Sequence, residues 1–369
     1  MRFFAAVAVV ITHIELIKYQ SGFSNLWRDN KLIFELGSLG VIFFFVLSGF
    51  LITYLLMKEK AITSTVAVKK FYLRRILRIW PLYYLIVLLG FLVLPHLHCL
   101  DNPYLSQFLN NNFGPNFALY LLFLPNLAFS IFAAVPHIGQ TWSIGVEEQF
   151  YVLWPLIVKH SKNILRALLI VIGVLIFMKV IVLVLCRQMP DNVVLKVVKP
   201  FLAMTKMESM AIGGIGAYFL FTDVTKIKWV LNNGILIASL VLTVLLVYFT
   251  PDFIQDGMYL LYSVLFLAII LNVSSNPTCI IRLENKVFRM LGNISYGIYM
   301  YHLIVIAFVF WGLQYFGMKI DDGCASQLIV YGLTIGMTIF ISLISYTYFE
   351  KWFLNLKSKF TIIRSGVNN

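Results

Sequence analysis

Two ionisable side chains share one apolar stretch. Arg2 and His13 both lie in RFFAAVAVVITHIELIK, residues 2–18. At about 100° per residue, eleven steps return to within roughly 20° of the start, so the two side chains fall on one helix face. They stand about 16 Å apart along the axis, roughly half a bilayer core. An ionisable group is costly to hold inside a membrane helix. A neutral imidazole can take a proton from a hydroxyl, and a guanidinium can hold an anion. The pair therefore has two uses open to it. One is a route for group transfer; the other is a snorkelling end anchor plus a histidine bonded to a neighbouring helix.

Three more blocks carry polar groups into apolar surroundings. Residues 71–84 read FYLRRILRIWPLYY, with Arg75 and Arg78 three apart on one helix face and Arg74 beside them. Paired guanidiniums suit phosphate or pyrophosphate, and the same cluster also serves as a positively charged inner anchor. Residues 141–155 read TWSIGVEEQFYVLWP, where two adjacent carboxylates, Glu147 and Glu148, enter an apolar run. Neighbouring residues point about 100° apart, so the two differ in role. One of them is expected to act as a base, or to orient a histidine and steady its cation. Residues 292–304 read GNISYGIYMYHLI, and Ser295, Tyr299 and His302 form a polar stripe at i, i+4 and i+7. A stripe of this kind binds a polar ligand or hydrogen-bonds between helices. Lys179 stands mid-span with no partner apparent, and His96, His98, His137 and His160 are given no role.

These residues need long helices to place them. The chain has 369 residues, 60% hydrophobic and only 12% charged, with a mean hydropathy of +0.88. That is the composition of a multi-span membrane protein. Eleven apolar segments are apparent, at 2–18, 36–57, 78–94, 117–132, 142–158, 164–186, 208–221, 229–249, 257–273, 294–316 and 327–349. The first contains Glu15 and lacks a small-residue cleavage site, so it reads as a retained helix. The fourth is short and interrupted by Pro125 and Asn126. Basic residues decide whether it crosses. The stretch 58–78 holds seven Lys and Arg against one acid, which puts the N-terminus inside. With the fourth segment left out of the crossing count, most Lys and Arg fall inside; with it counted, the bias disappears. The expectation is an all-α polytopic bundle of about ten transmembrane helices, one short or re-entrant segment, and both termini cytoplasmic. On this map Arg2, Arg75 and Arg78 lie at the inner side, and His13 and Glu147 towards the outer side. His302 lies near mid-membrane.

The net charge of +13 then belongs to inner loops rather than to a nucleic-acid site. The four cysteines form no CxxC and no metal spacing, and a Cys99–Cys324 disulfide is left open. No HExxH, P-loop or GxSxG pattern is present, and no metal is expected. Joined together, the blocks suit transfer of a group from an internal, phosphate-bearing donor to an external acceptor. Histidine would be the general base, and a carboxylate would steady the imidazolium.

At this point the chain resembles the acyltransferase-3 family of integral-membrane O-acyltransferases. The resemblance lies in Arg2 with ten residues then His13; FFFVLSGFLI at 43–52; RRILRIWPLYY at 74–84; TWSIGVEEQFYVLWP at 141–155; and GNISYGIYMYHL at 292–303. It implies acetyl-CoA, or another acyl-CoA, as cytoplasmic donor. His13 would be the catalytic histidine, with Arg2 its partner on the first helix. Arg75 and Arg78, with Arg74 and Arg2, would meet the donor. Glu147 matches the acidic position of the WSxxxE block that begins at Trp142 and Ser143. His302 closes the last block, with Tyr299, in a supporting role. The implied activity is O-acetyl transfer to a cell-surface or lipid-linked glycan at the plasma (inner) membrane. O-antigen, capsule, exopolysaccharide, peptidoglycan, a macrolide or a nodulation-type oligosaccharide would all fit as acceptor. The acyl group and the oligomeric state stay open. Family members usually carry residues ahead of the arginine, and some add an extracytoplasmic hydrolase-like domain. The expectation here is one domain over residues 1–369 with a short cytoplasmic tail at 351–369. A multi-span transporter of a glycan or small solute is the competing reading, although no inverted repeat supports it. A non-catalytic protein whose charges merely tie helices together is a third.

Overall fold

Where water is absent, a helix satisfies every backbone N–H and C=O within its own segment. Helices are the only regular structure among the described residues in a computed structural model of the chain. The structure describes residues 1–27, 29–100, 112–251, 255–318, 320–321 and 323–360. Arg28, Lys319 and Arg364, which enter the charge argument, and the tail beyond residue 360 lie outside them. Among the described residues, seven helices are long and apolar enough to cross a membrane: Arg2–Gln20, Lys31–Thr63, Val68–His96, Ile164–Gln188, Gly257–Ser275, Lys286–Tyr315 and Cys324–Lys357. Asn233–Phe249 is a shorter apolar helix. All four cysteines are free.

The chain divides into two compact units. The first comprises Met1–Gly40, Ile76–Gly145 and Lys286–Leu356. Helix α1 (Arg2–Gln20) ends where Gly22 takes φ +74° and lets the Phe23 N–H reach the Lys18 carbonyl. Helix α2 (Lys31–Thr63) begins behind Asn30, whose side chain accepts from the Leu32 and Ile33 N–H groups. Its first turns, up to Gly40, belong to this unit, as does α3 (Val68–Leu88) from Ile76 onward. The fourth apolar segment is two helices, α4 (Phe113–Leu121) and α5 (Pro125–Phe132), of 9 and 8 residues. Each is only about 12–14 Å long, well short of a bilayer core. Pro125 opens α5, where its missing N–H costs nothing. Carbonyls freed at the end of α4 are met by tyrosines of α3. Tyr83 donates to the Tyr120 carbonyl at 2.7 Å and Tyr84 to that of Leu121 at 3.0 Å.

Helix α12 (Lys286–Tyr315) is the hub of this unit, packed on α1 and on α13 (Cys324–Ser345). One buried ionic knot fastens α1 to α13. Glu15 and Lys18, 0% and 2% exposed, meet at 2.6 Å. Tyr331 donates to Glu15 at 2.7 Å, Lys18 donates to Gln327 at 2.9 Å, and the Leu26 N–H also donates to Glu15. With its hydrogen bonds made, the pair can stay inside without an orphan charge.

The second unit comprises Val41–Arg75, Val146–Asn285 and Lys357–Asn369. It takes α2 from Val41 and most of α6 (Thr141–His160). It also holds α7 (Ile164–Gln188), α8 (Val193–Met204), α9 (Met207–Thr222), α10 (Asn233–Phe249) and α11 (Gln255–Ser275). Helices α2 and α9 touch backbone to backbone. A Cβ on Gly49 would lie 1.9 Å from the Met210 carbonyl oxygen, and one on Gly213 would lie 2.0 Å from that of Val46. The Trp154 indole N–H of α6 donates to Thr53 of α2 at 2.9 Å. Lys60 crowns the end of α6 by donating to the Val158, Lys159 and Ser161 carbonyls. Only 6% of the most apolar stretch of α7 is buried, so most of its apolar surface lies open. Its Lys179 pairs with Glu208 of α9, a partner that the sequence alone did not suggest. Helix α8 falls between the sixth and seventh apolar segments of the sequence; Asn192 caps it by accepting from the Val194 and Leu195 N–H groups. That asparagine was the available signal.

Candidate functional site

The expected site residues fall in both units, and each group is described in its own. In the first unit, Arg2 begins α1, half-buried, and His13 follows three turns later. His13 is half-buried; His302, on α12, is 0% exposed. The two imidazoles meet, His302 Nε2 lying 3.2 Å from His13 Nδ1 with ring centroids 4.9 Å apart. Each Nδ1 also faces a main-chain carbonyl, that of Val9 at 2.9 Å for His13 and that of Tyr299 at 2.6 Å for His302. A carboxylate was expected to steady His13; the described side-chain partner is a second histidine.

The rest of the α12 stripe divides by role. Tyr299 reaches the start of α6, 2.7 Å from the Ser143 hydroxyl, and donates to the Gln140 carbonyl at 3.1 Å. The Gln140 amide N–H donates to the Met300 carbonyl at 2.7 Å. Ser143 and Tyr299 thus lock α6 to α12 beside His302, which is the inter-helix use of such a stripe. Ser295 turns back to the Gly292 carbonyl of its own helix. Trp142 is half-buried at the start of α6. In the turn ahead of α6, burial holds the His137 imidazole below its ordinary pKa, so it stays neutral. Arg78 acts electrostatically on Glu350, a buried carboxylate on the wide turn Tyr346–Glu350 that ends α13. Ser345 donates to Glu350 at 3.1 Å and accepts from Tyr301 at 3.0 Å. Glu350 lies outside the blocks that pointed to chemistry, and nothing local in the sequence signals it.

In the second unit, Glu147 accepts from Ser48 at 3.0 Å and from Tyr151 at 2.9 Å. The Tyr151 ring in turn lies 5.4 Å from the Arg75 guanidinium, which also sits 5.5 Å from Phe71. The two neighbouring carboxylates do differ: Glu147 is half-buried and Glu148 buried. Glu147 and Arg75 were expected towards opposite sides of the membrane. They stand one tyrosine apart. Arg75 lies two turns inside α3, which starts at Val68, and its own side chain extends that reach. The Arg75 Nε–H is buried without a hydrogen-bond partner. A buried, unmet guanidinium donor fits an anion such as a donor phosphate. Arg74 is differently placed. It pairs with buried Glu59 at 3.0 Å and donates to the Phe360 carbonyl, so it ties α3 to α2. Among the described residues, no three His, Cys, Asp or Glu side chains converge to hold a metal ion.

The chain matches the family model described as "Acyltransferase domain" over residues 1–347. A "Putative O-acetyltransferase" of Staphylococcus aureus strain COL is 28% identical over 343 residues, covering 88% of this chain and 54% of that protein. "Peptidoglycan O-acetyltransferase OatA" of Listeria monocytogenes is 26% identical over 317 residues, covering 83% of this chain and 48% of that protein. "O-acetyltransferase OatA" of Staphylococcus aureus strain NCTC 8325 is 26% identical over 332 residues, covering 84% and 50%. The chain spans about half the length of the curated relatives it matches. No solved structure matches.

Proposed function

The chain belongs to the acyltransferase domain family, and from that membership we propose that it is a membrane O-acetyltransferase acting on a glycan. The donor is cytoplasmic acetyl-CoA. The acceptor is a hydroxyl of a cell-surface or lipid-linked glycan of the O-antigen, capsule or exopolysaccharide type, and the membrane is the plasma (inner) membrane. The carrying observation is the family match over residues 1–347, which takes in His13, Arg75, Arg78, Glu147 and His302 together. The glycan acceptor is supported by the names of the relatives, one of which is called a peptidoglycan O-acetyltransferase.

In this reading His13 is the base. The residue is half-buried, not closed off, and it takes the proton of the hydroxyl as the oxygen forms its bond to the acyl carbon. The carbon–sulfur bond breaks, and His13 returns the proton to the leaving sulfur. Arg75 holds donor phosphate through its unmet Nε–H, with Arg78 assisting from the same helix. Arg2 marks the inner mouth of the helix that bears the base. Glu147, held by Ser48 and Tyr151, keeps a carboxylate one tyrosine from Arg75. Ser143, Tyr299 and Trp142 support the site, and Arg74 drops out of it. The membrane arrangement is ten crossings with both termini cytoplasmic, and the split α4–α5 segment does not cross.

The test is acetyl transfer from labelled acetyl-CoA in membranes, wild type against His13→Ala at matched expression. Label should enter a surface-glycan fraction with wild type and fall to background with the variant. Histidine-independent label would remove His13 as base. No label with either acetyl or succinyl donors would favour the transporter.

A further inference from the structure

We infer that His302 is the positioning partner of His13. It accepts a hydrogen bond from the His13 Nδ1–H and so presents His13 Nε2 as the atom that takes the acceptor's proton. This rests on the reading of His13 as base.

Hydrogen positions follow here from the chemistry of the partners. A main-chain carbonyl can only accept. His302 Nδ1, 2.6 Å from the Tyr299 carbonyl oxygen, therefore carries a proton. In a neutral ring that leaves Nε2 with a lone pair, and Nε2 is the atom facing His13. His13 Nδ1, 2.9 Å from the Val9 carbonyl oxygen, must likewise carry its proton. That proton is shared between the carbonyl and His302 Nε2, a three-centre bond of the kind common in helices. The Val9 carbonyl also accepts the backbone N–H four residues on, so its second lone pair and that of His302 Nε2 share the His13 proton. The reverse arrangement would point lone pairs at two carbonyl oxygens. A doubly protonated His302 would still leave one such clash and would bury a cation. One neutral arrangement satisfies every contact, and it leaves His13 Nε2 unprotonated.

Accessibility separates the two roles. His302 is 0% exposed, so it cannot meet a substrate, whereas His13 is half-buried. In a serine-protease-like triad a buried carboxylate sets the tautomer of the histidine and steadies its cation. Here a neutral imidazole does so without adding an anion to an apolar interior. When Nε2 takes a proton, the bond from Nδ1–H to His302 becomes charge-assisted and strengthens.

The test uses the full chain in membranes, with ¹⁵N-labelled histidine and two variants. Wild type should show a nitrogen–nitrogen coupling across the His13–His302 bond, with the His13 proton on Nδ1. His302→Leu, which cannot accept, should lose that coupling and lower kcat by roughly tenfold to a hundredfold. The KM values for donor and acceptor should hold within about twofold, which a general loss of structure would not give. His302→Gln, whose carbonyl can accept, should recover most of kcat. A wild-type spectrum without the coupling, or with the His13 proton on Nε2, overturns the inference even if no variant folds. So does a His302→Leu variant with wild-type kcat, or a folded His302→Gln variant as impaired as His302→Leu. If His13→Ala retains transfer, the base assignment fails and takes this inference with it. If His13→Ala is dead but His302→Leu is not, the base stands and only the positioning role falls.

Discussion

Three arginines within five residues do different work, and their surroundings decide which. Arg74 is held by buried Glu59, whereas Arg75 lies against the rings of Phe71 and Tyr151 with its Nε–H unmet. Aromatic faces attract a guanidinium but leave its in-plane donors unused. Arg75→Ala should therefore raise the KM for acetyl-CoA by roughly tenfold or more, the scale of one or two charge-assisted hydrogen bonds. It should lower saturated turnover much less. Steady-state kinetics with donor as the varied substrate checks this, and an unchanged KM would make Arg75 an anchor only. The sequence marked the cluster as cationic and suited to phosphate. It could not rank the members, because Glu59 and Tyr151 are brought to them by other helices.

At the scale of elements, the position of Ser48 under Glu147 depends on how closely α2 approaches α9. Gly49 and Gly213 sit where any side chain would strike backbone, which cannot yield as a side-chain tip can. Gly213→Leu should lower the melting temperature in detergent and cost at least about 1–3 kcal/mol. Gly173→Ala is the contrast. Nothing lies within 4 Å of a Cβ there, on the open apolar α7, so that variant should melt at or slightly above wild type. Equal melting of the two would remove the tight α2–α9 contact. The break in the fourth segment was legible from Pro125 and Asn126, since a proline inside an apolar run stops a helix. The 12-residue α8 was not, because a short amphipathic stretch between basic residues reads as loop until its Asn192 cap is noticed. The Lys179–Glu208 pair was likewise hidden, its partners lying 29 residues apart on different helices.

At the scale of the whole molecule, the proposed topology puts the loop between α2 and α3 and the C-terminal end of the chain on the same, cytoplasmic side. Reporter fusions placed after Thr63 and after Lys357 should both report cytoplasm, and one in the turn before α6 should report the opposite face. Opposite signals from the first two would mean an odd number of crossings between them. Composition and Lys/Arg asymmetry by themselves determined a helical membrane protein. Five short blocks determined its family, since residue types at fixed spacings survive in the linear chain. Arg2 and His13 could be placed on one face because both belong to a single helix, whose period is set by the backbone. What only the tertiary structure decided is who faces whom. His302 meets His13 289 residues away, Tyr151 joins Glu147 to Arg75, and Glu59 pairs with Arg74. Such partnerships depend on how helices pack and rotate against one another. A backbone period carries no record of that.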